Sequence, residues 1–149
     1  MKLFAISGLG ADERVFEYSK LEHEIVPVLW IPSIEGETIV NYTKRLIEKY
    51  ELANETNFGI LGVSFGGLVA VEMSKLIKPK FTILISSIET ANELSGFLKL
   101  VGKSGVMKLI PKRLLDPPRG IARFMFGTDK KELLNSILDD SDLNFTKWA

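Results

Sequence analysis

The sequence predicts an α/β protein: a doubly wound, mostly parallel sheet of about four strands, followed by a helical region. Three observations carry this. Over residues 1–90, short apolar runs alternate with stretches whose apolar residues recur at helical spacing. Two of the runs break directly into glycine-rich turns, Ser7-Gly-Leu-Gly10 and Gly62-Val-Ser-Phe-Gly-Gly67. Beyond residue 90 the alternation stops, while helical patterns and Pro111, Pro117 and Pro118 continue. The chain thus divides into a core, 1–90, and a helical cap, 91–149.

Residues 3–6 form a buried strand that ends in the first glycine turn. Asp12 is placed to cap a short helix whose apolar stripe is Val15, Phe16 and Leu21. Residues 24–30 are the second strand, and Pro27, which cannot donate to a ladder, pushes it to an edge. Ile39, Thr43, Leu46, Ile47 and Tyr50 share one helical face, which predicts an amphipathic helix over 37–51. The third strand is 58–61. Leu68, Val69, Met73, Leu76 and Ile77 line the helix after it, and Pro79-Lys80 separates that helix from a fourth strand at 81–85.

Composition narrows the function. The chain has 149 residues, 46% of them hydrophobic, enough to bury a core. Nineteen basic residues balance 19 acidic ones, so no electrostatic footprint favours nucleic acid or an anionic membrane. The absence of cysteine excludes a disulfide scaffold and a thiolate zinc site. The N-terminal apolar run is too short for a secretory core, and no run approaches the ~20 residues a bilayer needs. These features predict a cytoplasmic protein without membrane insertion.

In a doubly wound sheet, strands two and three flank strand one, and a crevice opens at the carboxyl ends of strands one and three. Both glycine turns lie there. Gly62-x-Ser64-x-Gly66 between a strand and a helix has the spacing of a nucleophile elbow, in which a tight turn lifts the serine hydroxyl clear of the sheet. By chance the pattern would occur in roughly one chain in twenty of this length, so its setting decides. Acyl transfer needs such a hydroxyl and two donors aimed at the developing oxyanion. The backbone N–H groups of Leu9 and Phe65 are the candidates, with Gly8, Gly10, Gly62, Gly66 and Gly67 allowing the turns.

These motifs resemble the α/β-hydrolase superfamily, in particular small bacterial esterase/lipase-type enzymes with a helical cap. The resemblance runs from residue 2 to about residue 90, more loosely through the cap, and begins at what would be the superfamily's third strand. It implies hydrolysis of a small ester or related acyl substrate through an acyl-Ser64 intermediate, with no cofactor or metal. Many members carry His-Gly at the first turn, where this chain has Ser7-Gly8. In the family an acid and then a histidine follow the serine. The sole histidine here, His23, precedes the second strand, at the opposite end of the sheet from Ser64. Glu89 is a candidate acid just beyond the fourth strand, and Asp129 in Phe126-Gly-Thr-Asp129 superficially resembles the usual acid turn. The expectation is a truncated hydrolase with little turnover as this chain.

Two other readings compete. A non-catalytic binding protein on the same scaffold would cover the open edge of the fourth strand, for example with a second copy. A dinucleotide-binding module would use Gly8-Leu-Gly10, but Glu13 stands where its third glycine belongs and no ribose-binding acid follows the second strand. Gly102-Lys-Ser104 lacks the correctly spaced glycine and the strand of a P-loop. Asp139-Asp-Ser-Asp142 lacks calcium-loop spacing, and Phe97, Leu98, Leu100, Val101, Met107, Leu109 and Ile110 read as plain core.

Overall fold

The structure is a computed structural model that describes residues 1–17, 19, 21–87, 136, 145, 148 and 149. Four parallel strands, β1 (Lys2–Ile6), β2 (Glu24–Pro27), β3 (Phe58–Val63) and β4 (Thr82–Ile85), lie in the order β2-β1-β3-β4. Chain order reverses at β1, so the switch point falls between β1 and β3, as the doubly wound reading requires. Helices α1 (Ile39–Lys49) and α2 (Phe65–Leu76) connect β2 to β3 and β3 to β4.

The two faces are built by strand alternation. Phe4, Ile6, Phe58 and Ile60 point to one side, where they are buried with Tyr42 and Leu46 of α1 and Val69, Ala70 and Met73 of α2. Leu3, Ala5 and Leu61 point to the other, where Phe16 covers them. Phe145 is buried in the first of these clusters, and Trp148 packs against it. Trp148 Nε1 donates to Glu37 O at 2.9 Å, tying the C-terminal end to the loop before α1.

Two elements differ from expectation. The helix predicted after Asp12 is a single 3-10 turn, Glu13–Phe16, and Leu21 is 47% exposed instead of lying on a buried stripe. Asp12 does cap it, accepting from Arg14 N. The second strand stops at Pro27, not at residue 30. Its last ladder bond is Val28 N to Ala5 O at 2.8 Å, after which tyrosines of the α1 segment take over. Tyr50 Oη accepts from Leu29 N (3.0 Å) and donates to Leu29 O (3.3 Å). Tyr42 Oη brackets Ile31 in the same way, at 2.9 Å to both N and O. These bonds satisfy a backbone that has left the sheet. Pro27 is in the edge strand, where its missing N–H costs no ladder bond.

The cap predicted over 91–149, with Gly102-Lys-Ser104, the apolar residues 97–110, Asp129 and Asp139–Asp142, lies outside the described residues apart from the four C-terminal positions named above. Glu89 lies outside them too. No helix among the described residues is long and apolar enough to cross a membrane.

Candidate functional site at the switch point

The glycine turns that follow β1 and β3 are in contact. Gly66, in the first turn of α2, lies so close to the end of β1 that a Cβ there would sit 2.2 Å from Ser7 O and 2.5 Å from Ile6 O. Gly62 is equally confined, with a Cβ falling 2.5 Å from Gly67 Cα and 2.6 Å from Gly66 O. Glycine at ±2 from Ser64 is therefore a steric requirement of this packing. Gly8 reaches Ser64 from the other turn: a Cβ on it would lie 3.4 Å from Ser64 Cβ and 4.0 Å from Ser64 Oγ.

Ser64 has φ 53° and ψ −121°, a backbone conformation that costs a non-glycine residue of order 1–3 kcal/mol. The surroundings hold it there. Ser64 N donates to Ile85 O at 2.8 Å, and Gly67 N donates to Ser64 O at 2.9 Å. The side chain, by contrast, makes no capping bond to α2 and is exposed. The hydroxyl is thus presented at the carboxyl end of the sheet, at the start of a helix and beside the Gly8 backbone. The N–H groups of Leu9 and Phe65 donate to none of the described backbone carbonyls.

The first turn is closed from within. Ser7 Oγ donates to Ala11 O at 2.8 Å, and Ala11 N donates to Gly8 O at 3.1 Å, so Ser7 stitches the loop. Downstream, the Arg14 guanidinium clasps the Asp12 carboxylate and reaches Ser136 Oγ at 2.9 Å. That side-chain bonding holds the Asp12 carboxyl below its ordinary 3.8. The first turn does not itself open an α-helix that could receive a pyrophosphate. The turn leads into a four-residue 3-10 segment headed by Asp12 and Glu13.

His23 is exposed at the amino end of β2, its ring 6.0 Å from that of Phe81, which precedes β4. Ser64 follows the carboxyl end of β3, so the length of a strand, on the order of 20 Å, separates the two. The structure therefore brings Ser64, Phe65, Gly8 and Leu9 together and leaves His23 apart. Among the described residues, no cluster of histidine, cysteine and carboxylate groups could hold a metal.

Two residues at this end of the sheet escaped the sequence reading. Ser87 Oγ is buried without a hydrogen-bond partner and sits where a Cβ on Gly67 would come within 2.1 Å of it. Trp30 Nε1 is likewise buried and unpartnered. Neither belongs to a spacing motif. The nearest sequence signals are the break in the second strand after Pro27 and the Ser86-Ser87 pair following β4, whose first member has φ 50°.

A parallel sheet with this order, a serine elbow after β3 and the doubly wound crossovers matches known structures over nearly its whole length. The fold is that of the α/β-hydrolases. The chain is similar to MenH from S. aureus, with 14% identity and a TM-score of 0.67, covering 99% of this chain and 64% of that one. It is also similar to the bottromycin epimerase BotH (12%, TM-score 0.68, 98% and 61%). A third likeness is to the RedJ thioesterase of the prodiginine biosynthetic pathway in Streptomyces coelicolor (16%, TM-score 0.60, 99% and 62%). The chain thus spans about three fifths of the length of these α/β-hydrolase-fold proteins. No protein-family model and no curated protein matches the sequence.

Proposed function

We propose that this chain carries the nucleophile and oxyanion site of a serine hydrolase acting on an ester or related acyl bond. Ser64 Oγ attacks the acyl carbonyl, and the Leu9 and Phe65 N–H groups receive the charge that develops on its oxygen. The observation that carries this reading is the strained Ser64 backbone, which presents an unbonded hydroxyl beside Gly8. Strain of this kind persists only where surrounding structure over-determines it, and it clusters at reactive sites. The fold itself adds little about chemistry, since its neighbours include an epimerase and a thioesterase.

His23 stands too far away to act as the base, so the chain itself turns over slowly. Loss of a triad base costs on the order of 10⁶ in kcat, while oxyanion binding alone retains about 10³–10⁴ over water. The test is therefore trapping instead of turnover. Incubation with an activated aryl acetate should place an acetyl group on Ser64, read by peptide mass spectrometry and absent in Ser64→Ala. Acylation spread over surface lysines, with none on Ser64, would refute the proposal. A second reading, binding without chemistry, is favoured by the position of His23. Ile83 and Ile85, 36% and 45% exposed on β4, are where a second copy would dock in that case. Sedimentation should then find a dimer that charged substitutions at both positions dissociate.

A further inference from the structure

The rings of Trp30, Phe65, Phe145 and Trp148 meet in one cluster, which reaches the elbow through Phe65. Trp30 lies 5.9 Å from Phe65 and 4.9 Å from Phe145, and Phe65 lies 6.3 Å from Trp148. Phe145 is buried, whereas Trp30, Phe65 and Trp148 keep part of their surface open. Phe65 adjoins Ser64 in the chain, which sets one ring of this cluster next to the residue that bears the hydroxyl. One polar atom in the cluster is unexplained. Trp148 Nε1 has Glu37 O, but Trp30 Nε1 is shielded from water and has no acceptor. Buried indole donors ordinarily find a partner, and an unpaired one is costly.

A site that contains an unpaired donor discriminates strongly. A ligand bringing an acceptor relieves the cost, and an isostere without one leaves it in place. Flat aromatic surfaces add a preference for a planar group lying on them. We propose that Trp30 is a specificity-determining residue of this site. Its indole N–H donates to an acceptor oxygen borne by the planar, unsaturated or aryl part of the acyl group, apart from the reacting carbonyl, with that planar part lying against Phe65 and Trp148. Because the N–H lies below the surface, the acceptor arrives as the part-open Phe65 ring turns aside. This rests on the reading of Ser64 as the reacting group, since it names the acyl class that would reach it.

The chain has two tryptophans, Trp30 and Trp148, so heteronuclear NMR of the labelled protein gives two indole N–H signals. Acetophenone, ethylbenzene and methyl hexyl ketone are titrated in turn: ring with acceptor, ring alone, acceptor alone. Acetophenone should bind saturably and move the Trp30 proton downfield. Ethylbenzene and the alkyl ketone should each bind at least about tenfold more weakly, or ~1.4 kcal/mol. Trp30→Phe should reduce acetophenone to the level of ethylbenzene. Should that variant fail to fold, the comparison on the parent chain decides alone. Equal affinity for acetophenone and either analogue, a shift confined to Trp148, or no saturable shift would overturn the proposal. All three titrations are repeated on Ser64→Ala, where binding is read without chemistry. Ser64 acylation without ketone discrimination defeats only this inference, whereas discrimination without acylation defeats the hydrolase reading and with it the acyl class, leaving Trp30 as the donor to a planar ligand that carries an acceptor.

Discussion

Replacing Gly66 by alanine tests whether the two turns are packed as described. Helix propensity alone predicts a gain, because alanine is favoured over glycine by up to ~1 kcal/mol inside a helix. The structure predicts the opposite sign. A Cβ at Gly66 would stand 2.2 Å from Ser7 O, where ordinary contact begins at 3.4 Å. The elbow would have to withdraw from β1 by about 1 Å, and the three atoms in its way, Ser7 O, Ile6 O and Ile6 C, are backbone and cannot rotate aside. Overpacking of this kind costs about 1–3 kcal/mol, and a rigid backbone obstacle puts Gly66→Ala at the upper end. For a chain of this size, ~3 kcal/mol lowers Tm by about 6–12 °C. Thermal unfolding followed by circular dichroism reads the loss directly. Gly8→Ala is the control, since its Cβ first meets an atom at 3.4 Å and should shift stability by less than about 1 kcal/mol. A Gly66→Ala protein melting within about 2 °C of the parent would refute the packing of the elbow against β1.

Ser64→Gly should raise Tm by about 2–4 °C by relieving ~1 kcal/mol of backbone strain, whereas Ser64→Ala keeps the strain and should melt near the parent. Both should lose acyl capture, so the pair separates strain from hydroxyl chemistry. Burial pushes the Tyr42 hydroxyl up from 10.0 to about 12. Its folded state holds the proton longer than the unfolded chain, so stability is intact below pH 10 and falls as pH rises toward 12, by about 3 kcal/mol in all. Denaturant titrations across that window should show the decline, and Tyr42→Phe should flatten it while starting about 1–3 kcal/mol lower, with Ile31 N and O unpaired. The Arg14 side-chain bonds lower the Asp12 pKa, so that pair contributes above the ordinary 3.8 and fades as pH falls through the lowered value. Asp12→Asn should therefore lose less stability than the parent on acidification below about pH 4, as read by acid unfolding.

The order of elements was legible because burial imposes periodicity. Phe4 and Ile6 face α1 and α2 while Leu3 and Ala5 face Phe16, and Ile39, Tyr42, Leu46, Ile47 and Tyr50 turn to the same core, leaving Val40 exposed. Element ends were less legible, for reasons that lie outside the local pattern. Residues 28–30 are as apolar as the strand before them, yet hydroxyls from Tyr42 and Tyr50, far along the chain, replace the ladder at Leu29 and Ile31. The 12–21 segment carries a helical spacing but buries Phe16 alone within its 3-10 turn, too little apolar contact to support a costly helix nucleus. Ser64 was legible because its turn forces glycine at fixed positions. The orphaned donors at Trp30 and Ser87 were not, because being unpaired is a property of three-dimensional surroundings and leaves no spacing in the chain.

The same contacts that make Ser64 stand out also explain why its strain can persist. Its N–H is held by Ile85 O of β4, its carbonyl by Gly67 N of α2, and its side chain is bordered by Gly8 after β1. Three separate elements fix one residue, so relaxing its backbone would cost bonds to two of them and the fit against the third. Strain distributed in this way depends on the sheet order. β3 must lie between β1 and β4 for all three contacts to exist at once, which the order β2-β1-β3-β4 provides. Moving β4 from its place would release Ser64 N and with it the conformation that exposes the hydroxyl. The reactive geometry proposed for Ser64 is therefore a property of the switch point as a whole, and the glycines around it are the means by which three chain segments approach closely enough to impose it.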